Sequence, residues 1–110
     1  MIPSGQPTIV ILATHPITLR IFFRRQLVAI RQAGLVPHAV SSPGPELAEV
    51  VRDTGVPCHA VPMHRGIAPG ADATALLRIA RLLRWLRPAI VHTHTPKAGL
   101  LGMAAARLCG

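Results

Sequence analysis

The stretch Thr8-Ile9-Val10-Ile11-Leu12-Ala13 does most to limit what this chain can fold into. A strand with one face in water alternates apolar and polar residues, and from Ile9 to Ala13 this run does not. Its β-branched, unbroken apolar character is that of a strand covered on both faces, which is the parallel-sheet type. A parallel sheet needs helical crossovers, so the remainder of the chain should alternate strands with helices.

The downstream pattern agrees. Thr14-His15-Pro16-Ile17-Thr18 reads as the loop leaving the first strand. Leu19, Phe22, Phe23, Leu27 and Ile30 then recur at helical spacing, with Arg20, Arg24 and Arg31 on the other side and Gly34 as the stop. Val36 to Ser42 is a second strand, and Ser42-Pro43-Gly44-Pro45 a turn. Glu46 to Thr54 is a short helix with its acids toward the start, ended by Gly55. Pro57 to Val61 is a short third strand, in which His59 is a partly covered residue without a chemical role. Pro62 to Ala71 is irregular, with Asp72 as the cap of the next helix. That helix buries Leu76, Ile79, Ala80, Leu83 and Leu86 and carries Arg78, Arg81, Arg84 and Arg87 on a neighbouring stripe, with Pro88 past its end. Ala89 to Val91 open a short buried strand. His92 and His94, two apart, share one face of an extended chain. Thr95 is placed to cap a helix and Pro96 to occupy its first position, after which Leu100, Leu101, Met103 and Ala104 continue as an apolar helix.

The fold class is therefore α/β, a Rossmann-like doubly wound parallel sheet ordered β-α-β-α-β-α-β-α, with residues 1–7 disordered or extended and the domain spanning 8–110. Right-handed crossovers predict the spatial order 3-2-1-4. Ligands of such sheets bind at the carboxyl ends of the strands, where the order reverses. The two turns at that point hold His15, Thr18, His92, His94, Thr95 and Lys97. They form a polar end on an apolar scaffold, with a helix N-terminus ready for an anion.

The formal charge is +8, from eleven arginines and one lysine against four acids. Such a surplus favours polyanions. The arginine stripes of the first and third helices would lie on opposite sides of the sheet, so they give a diffuse field rather than one flat patch. Nucleic-acid binding is disfavoured, because the aromatics are only Phe22, Phe23 and Trp85 and the two phenylalanines occupy core-like positions. Trp85 is read as packing between helices; its arginine neighbours leave a membrane interface as the alternative. No apolar run approaches the roughly 18 residues of a membrane span. Met1 to Pro7 lack a basic leader region, so no signal peptide is expected. Cys58 and Cys109 make neither a disulfide framework nor a metal spacing, which suits a reducing, cytoplasmic setting.

His92-Thr93-His94 would be half a zinc site, but no further ligand stands at familiar spacing, and a structural role for His92 remains open. The loop after the first strand has no glycine, unlike a dinucleotide fingerprint, and no phosphate-binding lysine loop or nucleophile elbow is present. A non-catalytic module for a nucleotide or phosphate ligand, or a basic accessory protein on anionic membranes, are readings these residues allow.

Ile90-Val91-His92-Thr93-His94-Thr95-Pro96-Lys97-Ala98-Gly99-Leu100-Leu101-Gly102 closely resembles the segment after the fourth strand of bacterial family-4 glycosyltransferases. Arg65-Gly66-Ile67 with Pro69 and Asp72, Leu86-Arg87-Pro88, and Pro16-Ile17-Thr18-Leu19 are also similar to the subgroup that builds capsule, O-antigen and related lipid-linked glycans. The likeness runs over nearly the whole chain. It departs at Ala89, where the family commonly has Asp, and in the glycine-free loop after the first strand.

The resemblance implies the N-terminal, acceptor-side domain of a retaining GT-B enzyme. Such an enzyme uses a nucleotide-sugar donor, a polyprenyl-diphosphate-linked or other glycan acceptor, and no cofactor or required metal. It implies that His94 reaches the donor sugar as the catalytic residue. His15, Thr18, His92, Thr95 and Lys97 would then contact donor or acceptor. In the family a second domain holds most of the donor. The chain is accordingly expected to be a truncated half, inactive alone, working in the cytoplasm with peripheral contact to the anionic inner membrane.

Overall fold

The computed structural model describes residues 7–63, 69–94 and 96–109. The sheet has four parallel strands: β1 (Thr8–Leu12), β2 (Val36–Ser41), β3 (Cys58–Ala60) and β4 (Ile90–Thr93). Their order is β3-β2-β1-β4, as expected. β1 is buried at every position, which its unbroken apolar run required. It pairs with β2 from Thr8↔Val36 to Leu12↔Val40 and with β4 from Ile9↔Ile90 to Leu12↔Thr93.

Five α-helical segments cover the two faces: α1 (Pro16–Thr18), α2 (Arg24–Gln32), α3 (Pro45–Thr54), α4 (Pro69–Leu86) and α5 (Pro96–Cys109). On one face Ile11, Ala13 and Ala39 pack with Leu19, Phe23, Leu27, Val50 and Val56 from the α1–α3 side. On the other, Val10, Leu12 and Val40 pack with Ala75, Ile79, Leu83 and Leu86 of α4 and with Leu101 and Ala105 of α5. Alternate residues of β1 thus feed separate cores, which is why the run has no polar members.

The turn chemistry is local. Gly34 and Gly55 sit at φ +88° and +72°, the left-handed region open to glycine, and each ends a helix. Arg87 takes the same role at φ +49°, with its N–H donated to Leu83 O at 2.8 Å and Pro88 preventing further helix. Thr54 closes α3: its hydroxyl donates to Val50 O at 2.6 Å and accepts from Val56 N at 3.1 Å.

Several expectations are corrected. The loop after β1 is only Ala13, Thr14 and His15, because Pro16 presets the first helical φ and starts α1. The first helix is not uniformly α: Leu19–Phe23 is a π-helical turn joining α1 to α2. Phe22 leaves the core there and is 67% exposed, while Leu19, Phe23 and Leu27 stay buried. Asp72 lies inside the first turn of α4, not at its cap, since helix is already formed at Pro69. β4 begins at Ile90 and is not buried throughout: Ile90 and His92 are exposed, whereas Val91 packs with the α4–α5 core. β4 hydrogen-bonds only to β1 among the described strands. Trp85 is 62% exposed and does not pack between helices. The readings placed on residues 1–6, on His64 to Ala68 and on Thr95 fall outside the described residues.

Candidate functional site

The carboxyl ends of the strands are tied into one rim by hydrogen bonds between successive loops. Ser42 N–H donates to Thr14 O at 3.0 Å, joining the turns that leave β2 and β1. His94 N–H donates to Leu12 O at 3.0 Å, which holds the turn leaving β4 against the end of β1. The Ser42 hydroxyl donates to Met63 O at 3.0 Å and accepts from Met63 N at 2.9 Å, so the chain leaving β3 is fastened as well. The Gly44 backbone lies so near α1 that an added Cβ would sit 2.7 Å from Pro16 Cγ. These contacts leave little freedom for the turns after β1 and β4 to separate.

The two turns leave adjacent strands at the same end of the sheet. His15 is the N-cap residue of α1, half-buried, and its carbonyl accepts from Thr18 N at 3.1 Å. Thr18 is half-buried in the first turn. His92 and His94 are exposed on the α1–α3 face of β4, as their two-residue spacing required. Their rings rest on the π-helical turn. Phe23 meets His94 edge-on at 4.9 Å between centroids and His92 at 5.9 Å, and Phe22 lies 6.0 Å from His94. An aromatic edge against a ring face is favourable by about 0.5–1.5 kcal/mol. It also fixes ring direction without consuming a ring nitrogen. π-helical turns are often found at functional sites, where they re-aim side chains, and here the turn brings two consecutive phenylalanines to His94.

Pro96 begins α5 directly beyond this point, and Lys97 lies in its first turn. The helix start therefore faces the same end of the sheet as the histidines, and its free N–H groups favour an anion. Gly102 lets α5 lie close on the sheet: a Cβ there would come within 2.8 Å of Leu12 Cδ2 and Thr93 Cγ2. Among the described residues no three His, Cys, Asp or Glu side chains gather as a metal site.

Sequence reasoning missed two features. One is Phe22, assigned to the core because a regular helix would turn it inward; nothing in the residue types announces the π turn. The other is His38. It stacks on His59 with Nδ1 3.0 Å from Nε2, one ring donating and the other accepting. Both side chains lie on the α4–α5 face, since Val40, two residues from His38, pairs with His59. Burial pushes both pKa values below the ordinary 6.5, and His59 lowers that of His38 further. Two imidazoles in that register were legible only once β2 and β3 were paired.

The family of this fold is identifiable. A model of the glycosyl transferase 4-like domain matches residues 19–110. The capsular polysaccharide biosynthesis glycosyltransferase CapM of Staphylococcus aureus is 39% identical over 83 residues, covering 76% of this chain and 21% of that protein. Two solved structures share the fold across 94% of this chain. They are Acinetobacter baumannii MurG, with TM-score 0.71, 21% identity and 33% of its own length covered, and a glycosyltransferase from Rickettsia africae, with TM-score 0.75, 14% identity and 27% covered. The chain belongs to the glycosyl transferase 4-like family and forms an N-terminal Rossmann-like domain of GT-B type. It spans about a fifth of the length of the curated relative it matches.

Proposed function

We propose that this domain is the acceptor-side half of a retaining glycosyltransferase. The enzyme would move a sugar from a nucleotide-sugar to a lipid-linked or polysaccharide acceptor in cell-envelope glycan synthesis. The observation that carries the reading is the placement of His94: exposed at the reversal of strand order, braced by Phe23, and beside the start of α5. The relative's role in capsular polysaccharide biosynthesis supports the substrate class.

In this reading a retaining transfer passes through an oxocarbenium-like sugar while diphosphate departs. His94 gives a hydrogen bond to a hydroxyl of the donor sugar or to its phosphate. The N–H groups at the start of α5, with Lys97, stabilise the departing negative charge. In this reading His15 and Thr18 serve donor and acceptor beside His94, and His92 supports His94 from the strand. No metal is required, because cationic and N–H groups carry the charge. The reaction belongs to the cytoplasm, with peripheral contact to the anionic membrane face where a lipid-linked acceptor resides. No helix among the described residues is long and apolar enough to cross a membrane.

The test is transfer of labelled sugar by an enzyme in which this domain is joined to a donor-binding half. His94→Ala should lower turnover by about 10²- to 10⁴-fold, the range for loss of a positioned proton-transfer or hydrogen-bonding group. Near-normal turnover would remove His94 from the chemistry. The 110-residue chain assayed alone should transfer nothing.

A further inference from the structure

The helical stretch after β1 carries different side chains on its successive flanks. Leu19, Phe23 and Leu27 face the core. Arg20 and Arg24, one position further round, pair with Glu49 and Asp53 of α3 at 2.8 and 3.2 Å. Phe22, one position short of Phe23, takes the flank opposite those arginines, and its ring centroid lies 6.0 Å from that of His94 at an interplanar angle of 33°. It is 67% exposed, and Ile21 beside it is 60% exposed. Thr18 stands on the same flank one turn earlier. A single exposed apolar side chain is ordinary on a protein surface. This one sits on the π-helical turn next to His94, and it forgoes most of the stabilisation that burying its ring would bring.

We infer that the exposed face of Phe22 is a platform for the acceptor, on which a pyranose with equatorial ring hydroxyls stacks its C–H face. Such a sugar is amphipathic by geometry. Its axial hydrogens make a flat apolar face that matches a phenyl ring in size, and its hydroxyls project from the edge. A site that recognises it needs a flat apolar ring with hydrogen-bonding groups at the border. Phe22 supplies the ring, and the His94 imidazole and the Thr18 hydroxyl stand beside it. The face of an aromatic ring carries partial negative charge, which attracts the slightly positive C–H hydrogens. A separation of 6.0 Å is wider than a close stack, so His94 leaves ring surface open to a ligand. A lipid chain has no need of a flat partner, since any branched apolar side chain would hold it as well. The inference rests on the glycosyl-transfer reading above, in which His94 serves the donor sugar. A ring next to His94 then meets the sugar that receives the transfer, and its flatness names that sugar's class.

The chain has two phenylalanines and no tyrosine, so its NMR spectrum holds two phenyl rings, one exposed and one buried. The experiment titrates the whole chain with methyl β-glucopyranoside, whose hydroxyls are all equatorial, and with methyl α-mannopyranoside, which has an axial oxygen on each face. The glucoside should shift the Phe22 ring signals, and saturation of the protein should pass to its axial H1, H3 and H5. The mannoside should receive about fivefold less, within the range of one aromatic contact. Phe22→Leu keeps an apolar side chain but loses the flat face; it should cut transfer to the glucoside about fivefold, whereas Phe22→Trp should keep it. Trp85→Leu removes another exposed aromatic ring and should leave transfer within about twofold. In an enzyme joined to a donor-binding half and given a glucosyl-terminated acceptor, Phe22→Leu should raise acceptor KM about fivefold and leave kcat within about twofold.

Equal transfer to both glycosides, transfer to neither, or a loss that follows Trp85 instead of Phe22 would overturn the platform. A fall in kcat with KM unmoved would also overturn it, because Phe22 would then support His94 without touching substrate. Larger shifts of the Phe22 signals with uridine than with the glucoside would give the ring to a nucleobase and overturn the saccharide. The glycosyl-transfer reading fails separately, through near-normal turnover of His94→Ala, since glycoside contact on the 110-residue chain requires no turnover.

Discussion

The molecule holds two histidine pairs, and they are opposites. His38 and His59 come from adjacent strands, the first buried and the second half-buried, and satisfy one another across 3.0 Å. His92 and His94 come from one strand and are exposed at the carboxyl end of the sheet. They touch only the carbon edges and faces of Phe22 and Phe23 among the described ring contacts. A ring nitrogen already engaged with another imidazole has little left for a substrate. A ring held by aromatic contacts keeps its nitrogens available. Local chemistry therefore separates a structural pair from a candidate site more cleanly than the presence of histidine does.

The most forceful way to break the comparison is to remove the brace. Phe23 is buried in the α1–α3 core and also supports both exposed histidines. Phe23→Ala should cost about 3–5 kcal/mol of stability, the usual range for an emptied phenylalanine site. Phe23→Leu sharpens the test, because it fills much of the volume and should cost less than about 1.5 kcal/mol. In that variant the ring-current shifts of His92 and His94 should collapse in proton NMR while those of His38 and His59 stay. Unchanged His94 shifts would show that Phe23 does not orient it.

How far the sequence disclosed this arrangement depends on the range of the interaction. The unbroken run in β1 and the two-residue spacing of His92 and His94 are local signals, and they led to the strand order and to the face the two rings share. Pro96 likewise marked the start of α5. The positions of Phe22 and Trp85 did not follow, for different reasons. Phe22 leaves the core because one turn of helix changes period, and hydrophobic spacing is read at a fixed period. Trp85 is apolar enough to be assigned inward, but the α4 core is already filled by Leu83 and Leu86 on the opposite arc. The contact between His38 and His59 spans 21 residues and depends on strand register, so no local pattern encodes it.

The gentlest probe is proton concentration. Burial holds His38 and His59 below their ordinary 6.5 in the folded chain. Between that value and the lower folded ones, the unfolded chain takes up protons that the folded chain refuses. Stability from this pair is therefore complete above about pH 6.5 and is lost as pH falls through the folded values. The Cε1 proton midpoints of both residues should fall below 6.5, and lowering the pH from about 7.5 to 5 should lower the Tm. His38→Gln should reduce that acid sensitivity, because one titrating partner is gone and an amide can still meet His59. Midpoints at or above 6.5 would mean that the pair opens to solvent, and the contrast with His92 and His94 would then rest on position alone.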